Sequence, residues 1–286
     1  MSSSTGSMTR RPEVRRAAVI THGRAETVRE PLARLRALAE ERGVELVLPE
    51  DEVAKHGDGA AGDLTSTDLA VVLGGDGTML RALKTFLGTA VPVFGVNFGR
   101  VGFLASAGAE ELETGLGRAF AGEFEVVELP ALEASAGGGA WLAVNDFVVT
   151  SSTLGRMIEI GWAIGGEDLG VLPCDGLICS TPSGSTAYNL SNGGPVLVWG
   201  LDAMALTFVA PHSLHARPLV VPRGRALTAT NRTANVAATV LADGHPVHEL
   251  APGDQVEARL SEKSSMLATL PEETFFTRYR RTFVAE

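Results

Sequence analysis

The chain has 286 residues, 45% of them hydrophobic, enough to fill the core of one large domain or two ordinary ones. A net charge of −10 with no long run of Lys or Arg argues against a nucleic-acid backbone or an anionic membrane as the main partner. No apolar run reaches the roughly 18 residues of a membrane span, and MSSSTGSMTRRPEVRR lacks the apolar centre of a secretory signal, so a cytoplasmic protein with a flexible tail over residues 1–14 is expected.

In chain order, AAVIT (17–21), VELVL (44–48), LAVVL (69–73) and VPVFGV (91–96) read as buried strands. Between the first two, Val28, Leu32, Leu35, Leu38 and Ala39 keep a helical spacing, with Pro31 either starting that helix or bending it. Past Gly77, Thr78 is expected as an N-cap, and Met79, Leu80, Leu83, Phe86 and Leu87 mark the buried face of the next helix. Strand and helix in alternation imply a parallel sheet with both faces covered.

From about residue 126 the texture changes to short alternating segments and Gly-rich turns. WLAVNDFVVTS, MIEIGWAIGG, ALTFVA, PLVVP, ALTAT, VAATVLADGHPVHEL and QVEARLSE read as antiparallel strands, and ASAGGGA (134–140) as a hairpin tip. FFTRYRRTF (275–283) is aromatic and basic and is expected to pack back on the first domain. The organisation expected is thus a tail (1–14), an α/β domain (15–125), a β-rich domain (126–265) and a returning segment (266–286). Cys174 and Cys179 stand in an apolar segment with no His nearby in sequence, which fits buried free thiols better than a disulfide or a metal set.

Three segments carry chemistry. The run LGGDGT ends a buried strand in glycines and feeds a helix, which places the turn at the carboxyl edge of a sheet, where open α/β folds bind ligands. Gly74, Gly75 and Gly77 allow positive φ and close backbone approach, so their N–H groups can face phosphate oxygens. Asp76 would repel those phosphates, which suits either a screening metal or a hydroxyl whose proton must be removed; a plain Asp-Gly turn is the alternative. GVNFGRVGFLA (95–105) departs from a dinucleotide fingerprint, because Asn97 occupies the place of the first glycine; it reads as a second ligand-facing loop. CDGLICSTPSGSTAYNLSNGGPVL (174–197) delivers a cluster of Ser and Thr from a buried strand to a short helix, the chemistry for holding sugar, amide and phosphate groups.

Taken together, GGDGT (74–78), NFGRVGFL (97–104), ND (145–146), CDGLICSTPSGSTAYNLSNGGP (174–195), PHSLHARPLV (211–220) and ADGH (242–245) resemble the NAD kinase family in order and spacing. The first of these is shared with lipid kinases and is weakly specific, whereas STPSGSTAY after an Asp-Gly pair is highly specific. The resemblance implies a Rossmann-like parallel α/β domain followed by a mostly antiparallel β-sandwich domain. It also implies transfer of a phosphoryl group from ATP or polyphosphate to the 2′-hydroxyl of the adenosine ribose of NAD, with Mg²⁺ or another divalent cation bound with the donor; the sequence itself shows no dedicated metal cage.

Carried over by resemblance, Asp76 is the general base and Gly77 approaches the ligand. Asn145 holds the adenine side of the dinucleotide, with Asp146 standing where most relatives have Glu. Asp175, Ser183, Thr186, Ala187, Tyr188 and Ser191 match binding positions, as do Asn97 and Phe103 of NFGRVGFL. Arg81 and Arg156 match positions near phosphate, and His245 one usually Gln or His. His212 and His215 are expected to be structural. A homodimer or homotetramer is implied, in which the β domain contributes to a neighbour's site. The competing readings are a GGDGT-type kinase of another small hydroxyl acceptor and a non-catalytic NAD(P) sensor.

Overall fold

The computed structural model describes residues 11–57, 61–99 and 102–284. It divides into two compact units, one made of the chain up to Val127 together with Met266 onward, the other of Glu128–Ser265.

In the first unit β1 (Arg16–Thr21), β2 (Glu45–Val47), β3 (Leu69–Leu73) and β4 (Pro92–Asn97) form a parallel sheet in the order β2-β1-β3-β4. The short β5 (Ala107–Gly108) and the residues Met266 and Leu267 also pair with β4. Every residue of β3 and β4 is buried, which is why these strands read as unbroken apolar runs. Helices α1 (Ala25–Arg42), α2 (Glu50–His56), α3 (Asp76–Thr85) and α4 (Leu112–Phe120) join or follow the strands. Val19, Leu35, Val71, Phe94 and Leu116 belong to one core cluster.

Three local expectations need correction. Helix α1 begins at Ala25 and runs through Pro31, so Pro31 does not start it; the buried face outweighs the hydrogen bond that Pro31 cannot donate. Thr78 is not an N-cap: Gly75 holds that place, because its carbonyl already accepts from the N–H groups of Thr78 and Met79. Asp76 is therefore the first residue of α3, where the positive end of the helix dipole favours a carboxylate. Residues 11–14 are not loose, since Arg11 N–H donates to Gly122 O (3.2 Å), Val14 N–H donates to Phe120 O (2.9 Å), and Val14 is buried. The rest of the expected tail lies outside the described residues.

The second unit is antiparallel. Its strands are β6 (Glu125–Ala136, which starts in the first unit), β7 (Gly139–Ala143), β8 (Asp146–Ser151), β9 (Ile158–Ile164), β10 (Glu167–Cys174), β11 (Gly176–Ser180), β12 (Ala203–Val209), β13 (Leu219–Pro222), β14 (Leu227–Asn231), β15 (Ala238–Ala242), β16 (His245–Leu250) and β17 (Gln255–Thr269). One sheet runs β13-β12-β11-β8-β15-β16; the other layer runs β10-β9-β14-β17, with β6 paired to β17 and β7. Phe147, Leu177 and Val240 from the first layer and Ile160, Ala229 and Val256 from the second share one core, the interdigitation of a β-sandwich.

The glycine-rich tip is a two-residue turn between β6 and β7, with Gly137 and Gly138 at φ 56° and 81°, the backbone that a tight hairpin demands. Cys174 and Cys179 are buried free thiols. Burial pushes the Cys174 thiol up to about 12 and Cys179 higher still, so both are inert at neutral pH. Among the described residues no helix is long and apolar enough to cross a membrane.

Leu35 is fully buried between α1 and the sheet. Leu35→Ala is expected to lower the stability of the first unit by about 2–5 kcal/mol, read as a lower urea midpoint at an unchanged fold by circular dichroism.

Candidate functional site

In the strand order β2-β1-β3-β4 the chain leaves β1 for one neighbour and returns on its other side, so the carboxyl ends of β1 and β3 flank a topological switch point. A cleft of about 640 Å³ opens there. It is lined by Thr21 at the end of β1 and His22 after it, by Gly74, Gly75 and Gly77 after β3, and by Arg81 and Asn97. Asn97 is buried, and its Oδ1 accepts the Gly99 N–H at 2.9 Å, closing the loop after β4.

The glycines of the turn serve close approach, not positive φ: none of Gly74, Gly75 and Gly77 adopts the left-handed region. A Cβ on Gly74 would stand 2.5 Å from Thr78 Oγ1, whereas Gly77 faces open space. Asp76 Oδ2 accepts the Phe103 N–H (2.7 Å) and Oδ1 the Leu104 N–H (3.1 Å). A Cβ on Gly102 would come within 2.1 Å of Asp76 Oδ1, so a glycine before this pair of N–H groups is what admits the carboxylate. The ring of Phe103 is buried against Phe275 and Phe283, at centroid distances of 5.2 and 6.1 Å.

Arg81 is exposed but ion-paired. Its Nη2 donates to Glu52 Oε1 and to Thr21 O, both at 2.6 Å, and its Nη1 to Asp51 Oδ2 at 3.2 Å. Glu52 is fully buried and also accepts from Thr21 N–H, Thr21 Oγ1 and Lys55 Nζ. Burial alone would raise the Glu52 carboxyl, but the hydrogen bonds from Lys55 and Thr21 outweigh it and hold the group below the usual carboxylate range. Glu52 and Lys55 escaped the sequence reading; their only trace is an i, i+3 pairing inside EDEVAKH.

In the second unit, Asp243 and Gly244 form the turn between β15 and β16, with φ of 49° and 79°. That left-handed conformation, which Asp tolerates better than most residues, turns the Asp243 carboxylate onto the N–H groups of Val144, Asn145 and Asp146. Asn145 is thereby fixed at the break between β7 and β8. Its carbonyl accepts Thr181 N–H (2.9 Å), its Oδ1 accepts Ser183 Oγ (3.4 Å), and a Cβ on Gly184 would lie 2.1 Å from its carbonyl oxygen. Thr186 Oγ1 donates to Ser183 O (3.2 Å), with half-buried Ala187 next to it. Asp146 is 5% exposed, and burial first, then the charge of Asp243, push its carboxyl up to about 7. Near neutral pH it can therefore donate a hydrogen bond as well as accept one.

Tyr188 and Ser191 are exposed on the single helical turn that follows. His245 is exposed, with Nδ1 2.9 Å from Asp243 O. Asp175 and Arg156 are not brought to this group. Gly176 pairs with Thr150 and Ser180 with Asp146, so Asp175 lies at the opposite end of β11 from Asn145, roughly 20 Å away at strand rise. Arg156 follows β8 at that same far end. His212 and His215 have exposed rings and are tied through their N–H groups to Pro173 O and Ser213 Oγ.

A glycine-lined cleft at a switch point, with a carboxylate on the first turn of the following helix, defines a nucleotide-binding α/β protein of the phosphotransferase kind. A family model described as the ATP-NAD kinase N-terminal domain matches residues 16–124, and one described as the ATP-NAD kinase C-terminal domain matches residues 144–270. The NAD kinase of Heliobacterium modesticaldum is 41% identical over 218 residues, 74% of this chain and 77% of that protein. That of Gemmatimonas aurantiaca is 37% identical over 80% of this chain and 81% of the relative. Among solved structures, an Archaeoglobus fulgidus NAD kinase in complex with ATP superposes with a TM-score of 0.75 at 29% identity, covering 93% of this chain and 98% of that one. Yeast NADH kinase complexed with NADH shares the fold, at a TM-score of 0.84 and 21% identity over 96% and 89% of the two chains. The chain belongs to the NAD kinase family.

The raised Asp146 carboxyl sets a pH test. Between its unfolded value of 3.8 and its folded value of about 7 the folded state binds the extra proton, so stability falls as pH rises through that window. Asp146→Asn, which removes the titration, is expected to gain melting temperature relative to the parent chain between pH 5 and pH 8; parallel melting curves for the two would refute the assignment.

Proposed function

We propose that this chain phosphorylates the 2′-hydroxyl of the adenosine ribose of NAD to give NADP, with ATP or polyphosphate as donor and Asp76 as general base. The observation that carries the reading is the Asp76 carboxylate on the first turn of α3, held by two N–H groups beside a cleft of about 640 Å³. Two N–H groups leave the carboxylate with free lone pairs, enough to accept a hydroxyl proton. In the step, the 2′-oxygen attacks the terminal phosphorus, Asp76 takes the hydroxyl proton, and the bond from that phosphorus to the bridging oxygen breaks as the shortened donor leaves. Gly75 and Gly77, which line the cleft, and Arg81 beside them are suited to the donor phosphates. The ATP complex of the Archaeoglobus fulgidus relative supports a nucleotide donor.

The acceptor dinucleotide is assigned to the β unit. Asn145, Asp146, Ser183, Thr186 and Ala187 form its hydrogen-bonding floor, with Tyr188, Ser191 and His245 at the rim. Among the described residues no three or more His, Cys, Asp or Glu side chains cluster as a metal set. A divalent cation belongs with the donor phosphates, whose charge it neutralises. The separation of Asp175 and Arg156 from Asn145 supports a homodimer or homotetramer in which they reach a dinucleotide bound by a second copy.

Purified protein with NAD, Mg²⁺ and either ATP or polyphosphate is expected to form NADP in a cycling assay, and Asp76→Asn to lose at least about 100-fold in kcat with NAD binding retained. Tight NAD binding without NADP formation from either donor would favour a sensor instead. Mixing Asp76→Asn with Asp175→Ala subunits is expected to restore part of the activity that each lacks alone, and no recovery in mixed oligomers would refute the shared site.

A further inference from the structure

Arg278 belongs to the C-terminal helix Phe275–Tyr279, beyond residue 270 where the match to the C-terminal family model ends. It is the largest fully buried side chain in the protein's described residues, at 0% exposure. A guanidinium has five N–H donors, and here five oxygens receive them. Nε donates to Glu273 O (3.0 Å), Nη1 to Phe103 O (3.0 Å) and Ala105 O, and Nη2 to Ser106 Oγ (3.0 Å) and Thr269 Oγ1 (2.7 Å). Both hydroxyls donate elsewhere, Ser106 to Ala268 O and Thr269 to Glu273 O, so their lone pairs are turned to the guanidinium. Lysine, with three donors on a point charge, cannot reproduce this fork.

The contacts matter because of what lies on the other side of one peptide group. The Phe103 carbonyl accepts from Arg278, and the N–H of the same peptide, on Leu104, donates to Asp76 Oδ1. The neighbouring peptide adds the Phe103 N–H to Asp76 Oδ2. A peptide dipole is thus gripped at its negative end by a buried cation and presents its positive end to the carboxylate. Burial holds the Arg278 guanidinium down to about 10, while the charges of Glu273 and Asp76 oppose that shift, so Asp76 is one of the charges that acts on it.

We infer that Arg278 is a positioning residue for the phosphoryl transfer: it clamps the 103–106 segment so that two N–H groups hold the Asp76 carboxylate in the orientation that receives the hydroxyl proton. This rests on the assignment of Asp76 as base. Arg278 touches neither substrate nor reacting atoms, and its effect passes through the peptide backbone. The aromatic contacts of Phe103 with Phe275 and Phe283 hold the same segment from its side-chain face.

The test compares the parent chain with Arg278→Lys, which keeps the charge and loses the fork, and with Thr269→Val, which removes one of the five acceptors and serves should Arg278→Lys fail to fold. Amide hydrogen exchange across residues 102–108 is measured beside steady-state kinetics. Faster exchange of the Phe103 and Leu104 amides is expected, with β1 and β3 unchanged. In Arg278→Lys kcat falls roughly 100-fold, the scale of a misplaced reacting group, while KM for NAD and for the donor stays within about two-fold; Thr269→Val follows with a smaller loss of the same kind. Unchanged kcat in a folded variant, or a loss confined to KM with the two amides still protected, overturns the inference. A parent chain that forms no NADP refutes the functional assignment instead, and the exchange of the two amides then decides the clamp alone.

Discussion

The pair of backbone N–H groups that Phe103 and Leu104 turn onto the Asp76 carboxylate is the constraint on which the α/β unit's site depends. It explains why Asp76 stands on a glycine turn without being bare. Gly102 is small because any Cβ would displace the carboxylate, and Gly74 because a Cβ would meet Thr78. Helix α3 starts at Asp76 itself, so the carboxylate also lies in the favourable field of the helix N-terminus. The open space at Gly77 then leaves the cleft side of the turn to a ligand.

The β unit handles carboxylates differently. Asp243 accepts three successive N–H groups and fixes the break between β7 and β8, at the cost of left-handed backbone at a non-glycine residue. Asp146 lies next to it in a buried setting that raises its carboxyl into the neutral range. Asp243 is structural, held by three N–H donors, whereas Asp146 is poised to exchange a proton near neutral pH. Glu52 in the α/β unit is likewise held by donors, and those from Lys55 and Thr21 outweigh its burial.

Much of this architecture was legible as pattern. Buried parallel strands advertise themselves as unbroken apolar runs, and the Gly137–Gly138 turn as a glycine cluster between alternating segments. Three strands had no such signature, among them the two-residue β5. β10 is exposed along most of its length, so EDLGVLPC carries no alternation, and β6 contains Pro130, which ordinarily argues against a strand. The start of α3 was misplaced because a Thr after glycine is a familiar cap, whereas the real cap is a backbone carbonyl, a group every residue owns. Glu52 and Arg278 left almost no trace, because most of their partners stand far away along the chain or are main-chain atoms.

The sequence by itself determined the alternation of strand and helix, the change to antiparallel texture near residue 126, and the residue types of the site, because these follow from periodicity and from short motifs read locally. Tertiary structure alone decided that Asp76 is gripped through the 103–104 peptide, that a C-terminal arginine stands behind that peptide, and that Asp175 lies at the far end of β11 from Asn145. Each of these is a relation between segments remote in the chain, set by strand register and by hydrogen bonds to main-chain groups that no side-chain pattern encodes.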